Sequence, residues 1–237
     1  MKLLNPFLFL LAILFFCDTL KAQTNTTTIK NALLIAAHNK SKLENSKQLL
    51  VVYNYQPESS TAFFVALEKK DKWLVKYGPV KVGIGKNGFA PPLNKREGDG
   101  KSPTGIFSLG KLYTYEKQLN TLLENQQTTA EDKWIDDPNS EDYNTYVKGA
   151  TNAKSYENLL LKTDAYKYCL VIEYNMNPII KGKGSAIFFH LAVKKPLFTA
   201  GCVAIDEENM KLMVNWLDPK RNPTIIMGNF NVLKSGL

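Results

Sequence analysis

Leu49-Leu-Val-Val-Tyr-Asn-Tyr55 is a run of aliphatic, β-branched and aromatic residues, the composition of a strand. Pro57 and its polar neighbours make a turn, and Thr61 to Leu67 supplies a second strand. A charged turn from Glu68 to Lys72 leads into a third, Trp73 to Tyr77. Two hairpins in series predict an antiparallel start. A parallel doubly wound sheet would need a long helix between strands, and the chain has no room for one here.

The same pattern continues outward. Val80 to Gly85 and Ile106 to Leu109 read as strands, separated by a glycine- and proline-rich loop over residues 89–105. Gly100-Lys101-Ser102 resembles the end of a phosphate-binding loop. The motif's first glycine would fall at Lys95, and Pro103 stands where its helix should run, so that reading fails. Tyr166 to Tyr174, Ser185 to Ala192 and Pro223 to Met227 read as further strands. Asp206 is placed to cap a helix from Glu207 to about Leu217, whose apolar side carries Met210, Leu212, Met213 and Trp216. A short helix is expected from Lys30 to Glu44 after a polar lead, and the last residues, 232–237, are expected to fray. The sum is a mostly β domain over residues 49–231, preceded by a lead and helix at 23–48.

Residues 110–163 differ from their flanks: polar, with Gln and Asn clusters and few β-branched runs. Tyr115 to Gln126 is a candidate short helix. Trp134, Asp136, Asp137, Tyr143 and Tyr146 set aromatic rings among acids. Such an insertion suits a lid or wall over a site; the plainer reading is a surface excursion anchored by Trp134.

The amino end reads as a secretory leader. Lys2 precedes an apolar run from Phe7 to Phe16, and Leu20-Lys21-Ala22 offers a cut after residue 22. The run is about half of the roughly 20 residues a spanning helix needs. Cys17 follows the bulky Phe16, a poor lipidation context. Removing residues 1–22, with Lys2, Lys21 and Asp18, takes the formal net charge from +8 to +7. A basic exported protein suits an anionic wall polymer or peripheral contact with the cell envelope. Nucleic acid is disfavoured: after residue 22 the arginines are Arg96 and Arg221, and no finger or helix-turn-helix pattern appears. Of the mature cysteines, Cys169 sits in the strand-like Tyr168-Cys-Leu-Val-Ile172, where burial as a small hydrophobe is expected over a bridge to Cys202.

The chemistry gathers at the other cysteine. Ile187-Phe-Phe-His190 ends a strand, and Gly201-Cys202 follows after a connection punctuated by Pro196. A thiolate attacks, not a thiol, and free cysteine titrates at about 8.5, so a neighbouring base is needed near neutral pH. His190, one of two histidines with His38, is the candidate base. Gly201 lets a substrate approach the backbone, whose amides can stabilise an oxyanion. The plain alternative is a hydrogen-bonded core histidine and a packed cysteine. His38 is expected to be a surface or partly packed residue. Zinc-site spacing is absent, and the sequence calls for neither metal nor cofactor.

Four segments, in order, carry a resemblance: Gly83-Ile-Gly-Lys-Asn-Gly88, Ser102-Pro-Thr-Gly-Ile-Phe107, Phe189-His190 and Thr199-Ala-Gly-Cys202. Together they resemble the L,D-transpeptidase catalytic domain family from about Leu49 to Asn231. The resemblance implies an exported, mixed β-sheet, sandwich-like enzyme acting on peptidoglycan stem peptides. Its cysteine attacks a diaminoacyl carbonyl, a terminal D-amino acid leaves, and an amine or water resolves the thioester. By position, Cys202 maps to the nucleophile, His190 to the base and Gly201 to the glycine before the nucleophile; a backbone carbonyl commonly orients the histidine. Thr199, Ala200, Trp134, Asp137 and Lys101 are the candidate substrate contacts, and acids of the insertion are candidates to hold an ammonium on a diamino acid or on an acceptor amine, with the equally plain reading that they tie down their own loop by turn hydrogen bonds. Ala200 and Ala204 stand where many members carry polar residues, and the step from His190 to Cys202 is short, which bears on the substrate. A cysteine peptidase or amidase on another peptide, and a non-catalytic wall-binding module, are the competing readings.

Overall fold

The computed structural model describes residues 23–193 and 195–237; the expected leader at 1–22 lies outside them. The chain folds as a mostly β domain whose sheet closes on itself. The strands are β1 (Gln48–Asn54), β2 (Thr61–Lys69), β3 (Trp73–Gly83), β4 (Gly105–Thr114), β5 (Asn125–Gln127), β6 (Asp132–Ile135), β7 (Tyr146–Lys148), β8 (Tyr156–Asn158), β9 (Tyr168–Ile172), β10 (Phe188–Leu191), β11 (Val203–Ile205) and β12 (Pro223–Asn229). The main sheet runs β12-β1-β2-β3-β11-β10-β9-β4-β5, and an extra β12–β4 pairing joins its ends into a barrel-like sandwich.

The antiparallel start appears as read: β1 pairs with β2 and β2 with β3. Two parallel pairs, β1–β12 and β10–β11, make the sheet mixed. β1 reads as an unbroken apolar run because both its faces are covered. Leu50 and Val52 point into the ring with Phe64, Leu170, Phe189, Val203 and Ile225. Leu49, Val51 and Tyr53 point outward beneath an amino-terminal helix, α1 (residues 23–38), which buries Ala32, Ile35 and Ala36. Helix α2 (Glu207–Trp216) closes the ring with Met210, Met213 and Val214, and the Asp206 side chain caps it by accepting from Asn209 N–H.

Several expectations are corrected. The threonine-rich segment 23–28 is helical, not a lead. Thr28 Oγ1 donates back to the Thr24 carbonyl at 2.9 Å, and the Thr28 carbonyl accepts from Tyr53 Oη at 3.0 Å. Packing on the aromatic face overrides a weak local propensity. Residues 115–124 form loops rather than a helix, with Thr121 Oγ1 tied to the Val214 carbonyl at 2.6 Å. The insertion holds a three-stranded sheet, β7-β6-β8. The carboxyl end forms α3 (Phe230–Lys234), capped by Asn229, and Leu237 N–H donates to Asn39 Oδ1 at 3.0 Å.

Candidate active site

β10 and β11 position the two candidate groups. Phe189 pairs with Val203 and His190 with Ala204, in parallel register. Side chains alternate across a strand, so Phe189, Leu191, Val203 and Ile205 fill the ring, while Phe188, His190, Cys202 and Ala204 lie on the outer face. That face is roofed by the insertion: Trp134 and Leu159 cluster there with Tyr113 of β4, Phe188, Cys169 and Cys202. Cys169 on β9 and Cys202 flank β10, both as buried free thiols. Strands two apart stand roughly 9–10 Å from each other, beyond the reach of a disulfide.

Cys202 is held in a built turn. Its Sγ donates to the Ala186 carbonyl and accepts from Phe188 N–H, each at 3.3 Å. Ala186 adopts φ 52°, a left-handed conformation that costs an alanine about 1–2 kcal/mol. Asn144 of the insertion holds it there: Asn144 Oδ1 accepts from Ala186 N–H at 3.1 Å and from Trp134 Nε1 at 3.0 Å. Below the turn, buried Ser102 donates from Oγ to the Gly201 carbonyl at 2.6 Å and accepts from Gly85 N–H at 2.9 Å. Thr199 Oγ1 donates to the Cys202 carbonyl at 2.7 Å and accepts from Gly201 N–H at 3.1 Å. A Cβ on Gly201 would stand 3.0 Å from the Lys101 carbonyl oxygen, so glycine lets the turn seat on the loop beneath.

His190 is fixed by main chain. Its Nδ1 lies 3.0 Å from the Leu191 carbonyl oxygen. A carbonyl only accepts, so Nδ1 carries the proton in the neutral ring and the lone pair falls to Nε2. Tyr166 packs edge-on against the imidazole, centroids 5.2 Å apart. Burial lowers the His190 pKa to about 4, against the raising effect of the Leu191 and Ala165 carbonyls. Burial likewise pushes the Cys202 thiol up to about 12. The resting pair is therefore neutral, and the thiol's proton points to Ala186 rather than to the imidazole. Cys202 in the free protein is expected to react with iodoacetamide more slowly than glutathione at pH 7.5, its rate climbing with pH without a plateau below pH 9. Mass spectrometry of the alkylated protein measures this; a plateau near pH 6–7 contradicts it.

Both groups open onto a cavity of about 470 Å³. Gly201, Thr199 and Ala200 line it beside Cys202 and His190, and Tyr166, Lys95, Glu97, Asp136 and Glu157 complete its polar wall. Trp134, Asp137 and Lys101 do not line it. Trp134 acts from behind, through Asn144 and an edge contact to Phe188 with centroids 5.3 Å apart. Asp137 turns away: its carboxylate accepts Lys154 N–H at 2.8 Å and Asn139 N–H at 2.9 Å, bonds that hold its pKa below the usual range. Lys101 presents its carbonyl to Gly201, and its N–H donates to Asp99 Oδ1 at 2.8 Å. His38 sits at the end of α1, bonded through Nδ1 to the Lys234 carbonyl. The reading of the sequence did not single out Tyr166, Glu157, Asn144 or the clamp made by Ser102. Ser102 alone carried a signal, as the head of Ser-Pro-Thr-Gly.

A family model for the L,D-transpeptidase catalytic domain (YkuD) matches residues 57–226. No curated protein and no solved structure matches the chain. The matched span runs from the turn before β2 into β12 and contains Ser102, His190 and Cys202. With most of its length inside that match, the chain belongs to the L,D-transpeptidase catalytic domain family.

Proposed function

We propose that the protein is an exported L,D-transpeptidase or L,D-carboxypeptidase that acts on peptidoglycan stem peptides through a thioester on Cys202. The observation that carries this reading is the placement of Cys202 and His190 on one face of β10–β11, at the wall of one cavity, in a domain of this family. The family's members are acyl transferases.

Substrate in the cavity displaces the thiol from the Ala186 carbonyl, and its proton passes to His190 Nε2 as Sγ attacks the donor carbonyl. Because neither group is ionised at rest, proton transfer accompanies attack instead of preceding it. Negative charge develops on the carbonyl oxygen. Gly201 N–H is committed to Thr199 Oγ1, which leaves Cys202 N–H as the turn's donor to that oxyanion. Collapse breaks the amide bond, the imidazolium protonates the leaving amine, and the D-amino acid departs. An amine or water then gives its proton to His190 and takes the acyl group from sulfur, restoring the thiol.

The neutral thiol is what favours the competing reading, a wall-binding module without turnover. Mass analysis of muropeptides incubated with the protein, beside Cys202→Ala, separates the two. Loss of a terminal D-amino acid or a new cross-link that needs Cys202 is expected. Competent muropeptides left unchanged by folded protein contradict the proposal.

A further inference from the structure

Asn144 stands in the turn between β6 and β7, where its N–H donates to the Ile135 carbonyl at 2.8 Å. It is buried, and all four hydrogen-bonding positions of its side-chain amide are used. Nδ2 donates to the Tyr174 and Asn175 carbonyls at 3.0 and 2.8 Å. Oδ1 accepts from Trp134 Nε1 at 3.0 Å and from Ala186 N–H at 3.1 Å. Carbonyls only accept and N–H groups only donate, so these partners fix the orientation of the amide. One side chain thus ties together the insertion, the loop after β9 and the turn before β10.

That turn is the seat of the nucleophile. The Ala186 carbonyl accepts the Cys202 thiol, and Phe188 N–H donates to the sulfur, each at 3.3 Å. The two contacts fare differently during attack. The Phe188 bond favours the thiolate and strengthens as negative charge builds on sulfur. The Ala186 carbonyl loses its donor when the proton leaves, and then faces that growing charge as a buried acceptor without a partner. Ala186 sits at φ 52°, where an alanine is strained. At rest its N–H is held by Asn144 and its carbonyl by the thiol. Once the thiol lets go, the bond to Asn144 is left to hold the turn against its strain.

We propose that Asn144 is a positioning residue for acyl transfer, which keeps the seat of the Cys202 sulfur in shape while the thiol gives up its proton; the inference rests on the acyl-transfer reading above. The polar insertion is then part of the nucleophile's mounting and not a surface excursion.

Glycine is the cleanest replacement, because Asn144 itself takes φ 58° and glycine keeps that backbone while removing the amide. Single-turnover acylation by a purified tetrapeptide muropeptide is compared in the wild type, Asn144→Gly and Asn144→Gly/Ala186→Gly, with folding checked by thermal melts. Asn144→Gly is expected to acylate about ten- to a hundredfold more slowly at saturating substrate, with half-saturation within about twofold of the wild type. The second substitution is expected to recover most of that loss, since glycine at 186 takes positive φ without strain and needs no tether. A merely structural asparagine would lower the melting temperature and leave the rate of the folded protein unchanged. Acylation by Asn144→Gly at the wild-type rate, or a loss that Ala186→Gly leaves in full, overturns the proposal. Trp134→Phe is the milder variant should Asn144→Gly fail to fold: it keeps a ring and removes one of the two donors that fix Oδ1. It is expected to slow acylation severalfold, and an unchanged rate overturns the proposal.

If the wild type forms no acyl-enzyme, the acyl-transfer reading is at fault. The infrared S–H stretch of Cys202, assigned by its loss in Cys202→Ala, then decides the seat separately. A shift to higher frequency in Asn144→Gly that Ala186→Gly reverses supports it, and an unmoved stretch overturns it.

Discussion

Replacing Ser102 by alanine is expected to slow acyl transfer at least about a hundredfold and to lower folding stability by about 2–6 kcal/mol. Ser102 is fully buried, and its one hydroxyl ties the turn that carries Cys202 to Gly85 on the neighbouring segment. It gives its proton to the Gly201 carbonyl at 2.6 Å and takes one from Gly85 N–H at 2.9 Å. Alanine leaves both main-chain groups buried without partners, at about 1–3 kcal/mol each. The rate effect has a different origin. Gly201 and Cys202 are held from below by Ser102 and from the side by Thr199. Freeing one support lets Sγ drift, and a shift near 1 Å from attack geometry costs roughly a hundredfold. Urea unfolding and single-turnover acylation read the two effects apart. A variant destabilised as expected but acylating at the wild-type rate would show that the clamp serves folding alone.

Acid is expected to weaken the fold through His190. Above pH 6.5 the imidazole is neutral in both folded and unfolded chains and contributes no pH dependence. As pH falls through 6.5 the unfolded chain takes up a proton that the buried ring refuses, until its folded pKa of about 4 is reached. Stability therefore falls with pH across that window, by about 3 kcal/mol when complete. In His190→Gln the amide can still donate to the Leu191 carbonyl but does not titrate. The difference between wild type and variant isolates the histidine from Asp132 and Asp137, whose lowered pKa values also tie stability to pH. Urea midpoints at pH 7.5 and 4.5 are expected to fall further in the wild type than in His190→Gln. An equal fall in both would mean that the ring is protonated in the folded protein.

Local chemistry made the elements readable from sequence, and distant pairing hid the rest. The β-branched run at 49–55, the turn at Pro57 and the cap at Asp206 each declare themselves within a few residues, and β1, β2 and α2 appear close to the expected positions. Closure of the sheet joins Gln48 to Pro223 and Gly105 to Met227, pairings that no short window contains. The helix over 23–28 depends on Tyr53, far along the chain. In the site, the neighbours Asp136 and Asp137 differ by one position in a turn. Asp137 spends its carboxylate on main-chain N–H groups, while Asp136 faces the cavity, and composition cannot separate them. Glu157 reaches the site because β8 belongs to the small sheet over β10, and Tyr166 because the short helical turn Asp164–Tyr166 leads into β9 beside it.

The most direct measurement is the intact mass of the protein quenched during turnover of a stem tetrapeptide, with the adduct located by peptide mapping. A gain equal to the donor peptide less its terminal D-amino acid and less the sulfur's proton is expected on Cys202, labile to hydroxylamine and absent from Cys202→Ala. Turnover that continues in Cys202→Ala, or an acyl adduct on another residue, would contradict it.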